Sequence, residues 1–191
     1  MKYILYIFIV LLFGCSSFEF DRDGFNTNVD AKYYKIKECR REILSDNYIR
    51  EYENIDKIVV YKSKRKMELY RDNYLIDTIP ISLGKNPIGH KIRRGDNRTP
   101  EGHYYINRKK CSKKYYRSLG ISYPSSKDIK KGVNVGGGIM IHGQLAWNAD
   151  GKANEYTLSK DWTHGCIAIT NKDMQKLWYG IQKGTVVYIK K

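Results

Sequence analysis

The chain has 191 residues, 35 of them Lys or Arg against 20 Asp or Glu, which gives a formal net charge of +15. A composition that is 41% hydrophobic and 13% aromatic supplies apolar surface for one ordinary core and excludes disorder along most of the length. Four cysteines, Cys15, Cys39, Cys111 and Cys166, with no C-x-x-C pair, exclude both a dense disulfide scaffold and a zinc cage.

From the N-terminus, Met1-Lys2 is followed by Tyr3 to Phe13, an uncharged apolar run. Crossing a bilayer takes about 20 apolar residues and a secretory signal core roughly 7 to 15, so residues 1–14 read as a signal peptide. The run ends in Leu12-Phe13-Gly14-Cys15-Ser16-Ser17, which resembles the lipobox of bacterial lipoproteins, although Phe13 is bulkier than that pattern prefers. The resemblance implies lipid attachment at Cys15, and Ser16 rather than Asp after it favours the outer membrane. An ordinary cleaved signal or an uncleaved anchor with an incidental cysteine would equally place the domain outside the cytoplasm. Residues 15–54 are expected to hold this anchor, a polar tether over residues 16 to 30, and a short helix within Ala31 to Tyr52, where Tyr34, Ile36, Ile43, Leu44 and Ile49 recur with helical spacing.

From Ile55 onward the pattern becomes β-branched and aromatic. Ile58 to Tyr61, Met67 to Tyr70 and Leu75 to Ile81 predict antiparallel strands, the last two joined by a turn at Arg71-Asp72-Asn73. Glycines and prolines between Gly84 and Gly102 mark a loop, followed by a strand at Tyr104 to Ile106. Ile139 to His142 predicts an apolar strand that delivers a histidine at its end, and Cys166 to Ile169 another short strand. Asn171 is expected to cap a helix over Lys172 to Tyr179, with Thr185 to Ile189 as the last strand. The fold class is therefore mainly β with a few short helices, the domain running from residue 55 to 191.

Chemistry concentrates in Ile141-His142-Gly143 and in Asp161-Trp162-Thr163-His164-Gly165-Cys166. A free thiol titrates near pKa ~8.5, so a cysteine nucleophile needs a base to hold it as thiolate, and a histidine ending a neighbouring strand can supply one. Glycines beside both residues let backbone approach closely, and successive inward amides can receive an oxyanion. His90 and His103 lie among loop residues without a paired ligand, so neither they nor His142 and His164 form a metal-ligand spacing, and no metal or organic cofactor is expected.

At these residues the sequence resembles the L,D-transpeptidase catalytic domain, or YkuD, family, recognised by a histidine followed after a variable loop by Ser or Thr and then His-Gly-Cys: here His142, Thr163, His164, Gly165 and Cys166. Pro80 to Gly84, Gly95 to Gly102 and Gly184 to Val187 look like further family landmarks. The resemblance implies a YkuD-like β-sandwich or barrel of mixed strands and an acyl transfer on peptidoglycan stem peptides. In it Cys166 would be the nucleophile, His142 the general base oriented by the Gly143 backbone, and the amides of His164, Gly165 and Cys166 the oxyanion hole. Arg93 and Arg94 would meet the stem peptide's carboxylates, with Thr163 and Trp162 as further substrate contacts, Trp162 alternatively belonging to the core. The implied acceptor is an amine, and water in its place would make the same site a carboxypeptidase or endopeptidase. Two departures bear on substrate preference: the long gap between His142 and Thr163, and Ala168 where many members carry Arg or Asn.

A non-catalytic wall-binding lipoprotein is the competing class, and it has no need of a thiol. A papain-like peptidase is disfavoured because there the cysteine precedes its histidine. The basic residues occur in short groups, Lys62 to Lys66, Lys91 to Arg94 and Arg108 to Lys114. With the chain in the envelope they suit an anionic wall and membrane, and no nucleic-acid partner is expected. Whether Cys39 and Cys111 pair is open from sequence alone.

Overall fold

The computed structural model describes Cys39 and residues 54–112, 114–145, 148 and 154–191. The expected signal, Cys15, the tether, and the helix before residue 53 (apart from Cys39) lie outside the described residues, as does the middle of the stretch between His142 and Thr163.

Three strands open the domain as an antiparallel meander: β1 (Ile55–Tyr61), β2 (Lys66–Arg71) and β3 (Tyr74–Pro80). Asp72 and Asn73 form the two-residue turn between β2 and β3 with φ of 51° and 68°, the left-handed conformation that short polar residues tolerate and tight hairpins require. Then follow β4 (Gly102–Cys111), β5 (Arg117–Ile121), β6 (Met140–His142), the short helix α1 (Asn154–Leu158), β7 (Ile167–Ala168), α2 (Asn171–Gly180) and β8 (Ile181–Lys190). The strand order is β3-β2-β1-β8-β4-β5-β6-β7. The last strand sits in the middle, parallel to β1 and antiparallel to β4. Past the end of β3, Ser82 bridges Ala168 of β7 with paired backbone bonds of 2.9 and 2.8 Å. Both ends of the sheet thereby meet, so the mixed sheet curls on itself.

Inward-facing Ile58, Val60, Met67, Leu69, Ile79, Ile106, Leu119, Ile141 and Ile167 form one buried cluster. Helix α2 closes it, packing against β5 and burying Met174, Leu177 and Trp178, each worth roughly 1.5–3 kcal/mol when removed from water. At the end of β4, Cys111 forms a disulfide with Cys39, Cα atoms 6.0 Å apart, tying Cys39 to the sheet.

The structure departs from the sequence expectations at four elements. β5 and α1 were not anticipated. The cap of α2 is Thr170, whose hydroxyl accepts from the Asp173 amide, rather than Asn171, which is the first helical residue. β8 begins at Ile181, directly after the helix, four residues before the expected start.

Candidate active site

β6 and β7 lie side by side and parallel, Ile141 against Ile167 and His142 against Ala168. Continuing that register backward sets Cys166 beside Met140. Alternation along both strands then puts His142 and Cys166 on one face, with Cα atoms roughly 8 Å apart by strand spacing and rise. The Met140 backbone amide bonds to the Cys166 sulfur, and the thiol lies 3.9 Å from the Gly138 carbonyl oxygen.

The His142 ring is fully buried, and its Nδ1 lies 2.7 Å from the Gly143 carbonyl oxygen. A carbonyl only accepts, so Nδ1 carries the proton and Nε2 keeps its lone pair. Nε2 is buried without a hydrogen-bond partner among the described residues. Tyr115 stacks on the imidazole at 3.9 Å between centroids and 25° between planes, while Trp162 meets it at 5.7 Å and 68°. Burial pushes His142 down to about 4, with the Gly143 bond opposing and Lys114 adding to the shift. Burial also pushes the Cys166 thiol up, against the Met140 amide and the charges of Lys91 and Lys114. Desolvation disfavours both charges of an imidazolium–thiolate pair, which favours transfer of the thiol proton together with attack.

Gly143 is required beside His142 because a Cβ there would stand 2.5 Å from Asn171 Oδ1. That oxygen accepts from the Gln144 amide at 2.8 Å, and the Asn171 amide donates to Gln144 Oε1 at 2.8 Å, a reciprocal pair that fixes the backbone carrying the Gly143 carbonyl. Sequence reasoning missed this role by making Asn171 the cap. Thr170-x-x-Asp173, a capping-box spacing, was the available signal.

The turn that presents Cys166 is built by Thr163. Its buried hydroxyl donates to the Cys166 carbonyl at 2.7 Å and accepts from the Gly165 amide at 3.1 Å. Thr163 was expected to touch substrate; its only hydroxyl is instead committed to the turn. Gly165 has φ of 120°, and a Cβ there would lie 2.6 Å from the Arg98 carbonyl oxygen, so only glycine fits. Of the three amides expected in an oxyanion hole, that of Gly165 is therefore already bonded. The exposed His164 ring bonds Asn97 Oδ1 at 2.9 Å. Trp162 is half-buried, its Nε1 donating to the Thr157 carbonyl at 3.0 Å. It is neither simple core nor an open platform, because its edge meets His142.

Arg93 and Arg94 are exposed on the loop between β3 and β4, which Asp96 holds by accepting from the Ile92 and Arg93 amides and from Lys91. Asp161, which opens the segment singled out in the sequence but was given no role there, accepts from the Leu83 amide at 2.8 Å and pairs with Arg65 at 2.6 Å, anchoring the approach to Trp162. His90 lies 3.2 Å from Asp128, and the His103 ring packs edgewise on Tyr188, both outside this constellation.

The profile of the L,D-transpeptidase catalytic domain, YkuD, matches residues 55–189. Over 185 residues the chain is 26% identical to YafK of Escherichia coli (strain K12), itself only assigned to the L,D-transpeptidases. That alignment covers 93% of this chain and 63% of YafK, so the chain spans less than two thirds of its relative's length. Among solved structures it is similar to the helical cell shape determining protein Pgp2 from Campylobacter jejuni, with 25% identity, TM-score 0.56, and coverage of 76% of this chain and 49% of that one. It shares its fold with Bd1075 from Bdellovibrio bacteriovorus, with 21% identity, TM-score 0.53, and coverage of 85% and 53%.

Proposed function

The chain belongs to the YkuD family of L,D-transpeptidase catalytic domains, and we propose that it is an acyltransferase acting on peptidoglycan stem peptides through Cys166. The observation that carries this reading is the tautomer of His142: Nδ1–H is held on the Gly143 carbonyl, and the buried Nε2 lone pair belongs to the sheet face that bears Cys166. That is the arrangement a general base needs beside a protonated thiol.

In this reading Nε2 takes the thiol proton as the sulfur attacks the carbonyl between the third and fourth residues of the stem. The amides of His164 and Cys166 receive the oxyanion, with the Gly165 amide shared with Thr163 Oγ1. His142 then returns the proton to the departing amine, releasing the terminal residue and leaving a thioester. An acceptor amine, such as a diaminopimelate side chain, attacks the thioester, gives up a proton to Nε2, and the thiol is reformed as the new amide departs. Arg93 and Arg94, exposed on the neighbouring loop, supply positive charge for the stem's carboxylates, while Thr163 and Trp162 act by shaping the turn and the His142 pocket. No step calls for a metal or cofactor.

We further propose that the domain works on the periplasmic side of the envelope, lipid-anchored through Cys15, with the outer membrane as the favoured site. The Cys39–Cys111 disulfide supports an oxidising compartment. Among the described residues no helix is long and apolar enough to cross a membrane.

The test uses protein lacking residues 1–15 with tetrapeptide-bearing muropeptides, products being read by mass. Wild-type protein releases the terminal D-Ala and Cys166→Ala releases none; unchanged turnover in Cys166→Ala would refute the mechanism. Adding a diaminopimelate-type amine separates transfer from hydrolysis, since a transpeptidase shifts its product toward the amide and a carboxypeptidase or endopeptidase does not.

A further inference from the structure

Resting on the reading of His142 as base, we propose that Tyr115 is a positioning residue for it: the Tyr115 ring, stacked face to face on the imidazole, fixes the ring plane and keeps water from it. Two observations carry this. The ring contact is close and nearly parallel, 3.9 Å and 25°, whereas Trp162 meets the same imidazole at 68°, so the two aromatics restrain different tilts of one ring. The Tyr115 backbone is itself pinned, bridged antiparallel to Leu145 and held by its amide on Ser112 Oγ. His142 and Leu145 lie three residues apart, so the stacking partner is fastened to the strand end it serves.

The consequence is a dry base with one usable nitrogen. With Nδ1 fixed on the Gly143 carbonyl, the remaining freedom of the imidazole is libration about that bond, which moves Nε2. A stacked ring opposes that motion. Burial is the largest cause holding His142 below its ordinary range, and Tyr115 is part of what buries it. The charged and titratable groups near His142 are Lys114, on Tyr115's own segment and 5.4 Å from the Tyr115 ring centroid, and Cys166 on the facing turn. Lys91 acts on Cys166 but is paired with Asp96 at 2.7 Å. All of these remain in a Tyr115 variant, so a change in pH dependence reports the ring contact.

The experiment compares wild type, Tyr115→Phe, Tyr115→Leu, Tyr115→Met and His142→Ala in protein lacking residues 1–15. It reads two quantities against pH: alkylation of Cys166 by iodoacetamide, followed by intact mass, and release of D-Ala from muropeptides. Tyr115→Phe keeps the face and stays within about threefold of wild type with an unchanged profile. Leu or Met, read in whichever melts within about 5 °C of wild type, lowers kcat/KM about tenfold, the scale of one aromatic contact. It also moves the acid limb upward by about one pH unit toward the ordinary histidine range, because the ring is hydrated. A folded Leu or Met variant with the wild-type rate and acid limb overturns the inference, provided His142→Ala is inactive. Retained turnover in His142→Ala overturns the reading of His142 itself, so the two failures are distinct.

Discussion

Between pH 6.5 and about 4 the unfolded chain protonates at His142 while the folded chain does not. The folded value is depressed, so the unfolded state binds the extra proton, and stability present above pH 6.5 is lost as pH falls toward 4. The linkage amounts to about 3 kcal/mol over that window. Urea midpoints for wild type should fall across it, and His142→Asn, which keeps a donor for the Gly143 carbonyl without a titrating ring, should flatten the slope. Parallel slopes would show that His142 is not the group responsible. His142 and Cys166 were legible in the sequence because a thiol and an imidazole flanked by glycines carry their chemistry in their residue type. Tyr115 was not. It sits in a stretch rich in basic residues from Arg108 to Arg117 where nothing singles it out, and its contact with His142 arises beside a bridge to Leu145 that only the folded chain makes.

The loop between β3 and β4 is organised around a buried ion pair, with Lys91 and Asp96 both about 95% buried in their side chains and 2.7 Å apart. Burial alone would raise Asp96, but Lys91 and the amides of Arg93, Ile92 and Arg98 bring it down to about 2. The same loop presents the Arg98 carbonyl against Gly165 and Asn97 against His164, so its shape sets the roof of the turn that carries Cys166. Asp96→Asn should cost about 3 kcal/mol by leaving the Lys91 ammonium buried without its counter-charge, and should reduce turnover along with stability. Adding Lys91→Met should restore much of the stability, and denaturation of the two single variants and the double variant closes the cycle; additive losses would mean that the pair is not coupled. At this scale the meander β1 to β3 could be read from its β-branched and aromatic runs and the turn at Arg71-Asp72-Asn73. β5 could not, because all five of its residues are buried and no period-two contrast survives. Arg117 looks like a surface residue in sequence, yet its guanidinium lies 4.5 to 5.4 Å from the ring centroids of Tyr116, Trp178 and Tyr179, two of them supplied by α2. Side chains that are buried by later elements give no local sign of it.

Across the whole molecule, the disulfide closes a sequence separation of 72 residues from Cys39 to Cys111. Restricting the unfolded chain over a loop of that length is worth about 4 kcal/mol in the chain-entropy model, so Cys39→Ser with Cys111→Ser should lower the melting temperature by roughly 10 °C for a chain of this size. Calorimetry with and without the pair measures this, and an unchanged melting temperature would leave the bridge with no stabilising role. The pairing was open in the sequence because spacing along the chain says nothing about separation in space. The position of β8 was hidden for the same reason: nothing in Thr185 to Ile189 says which strands flank it, and it lies between β1 and β4, with Ile58 beside Val187 and Tyr104 on its other side. It is the keystone of an arch. Without Ile181 to Lys190 there is no ladder between β1 and β4, and β1 to β3 would meet β4 to β7 mainly through the Ser82–Ala168 bridge beyond β3. The strand ends that carry His142 and Cys166 thus depend on a strand that pairs with neither of them, so a chain ending at Gly180 is expected to lose the fold and the activity together, which circular dichroism alongside D-Ala release would check.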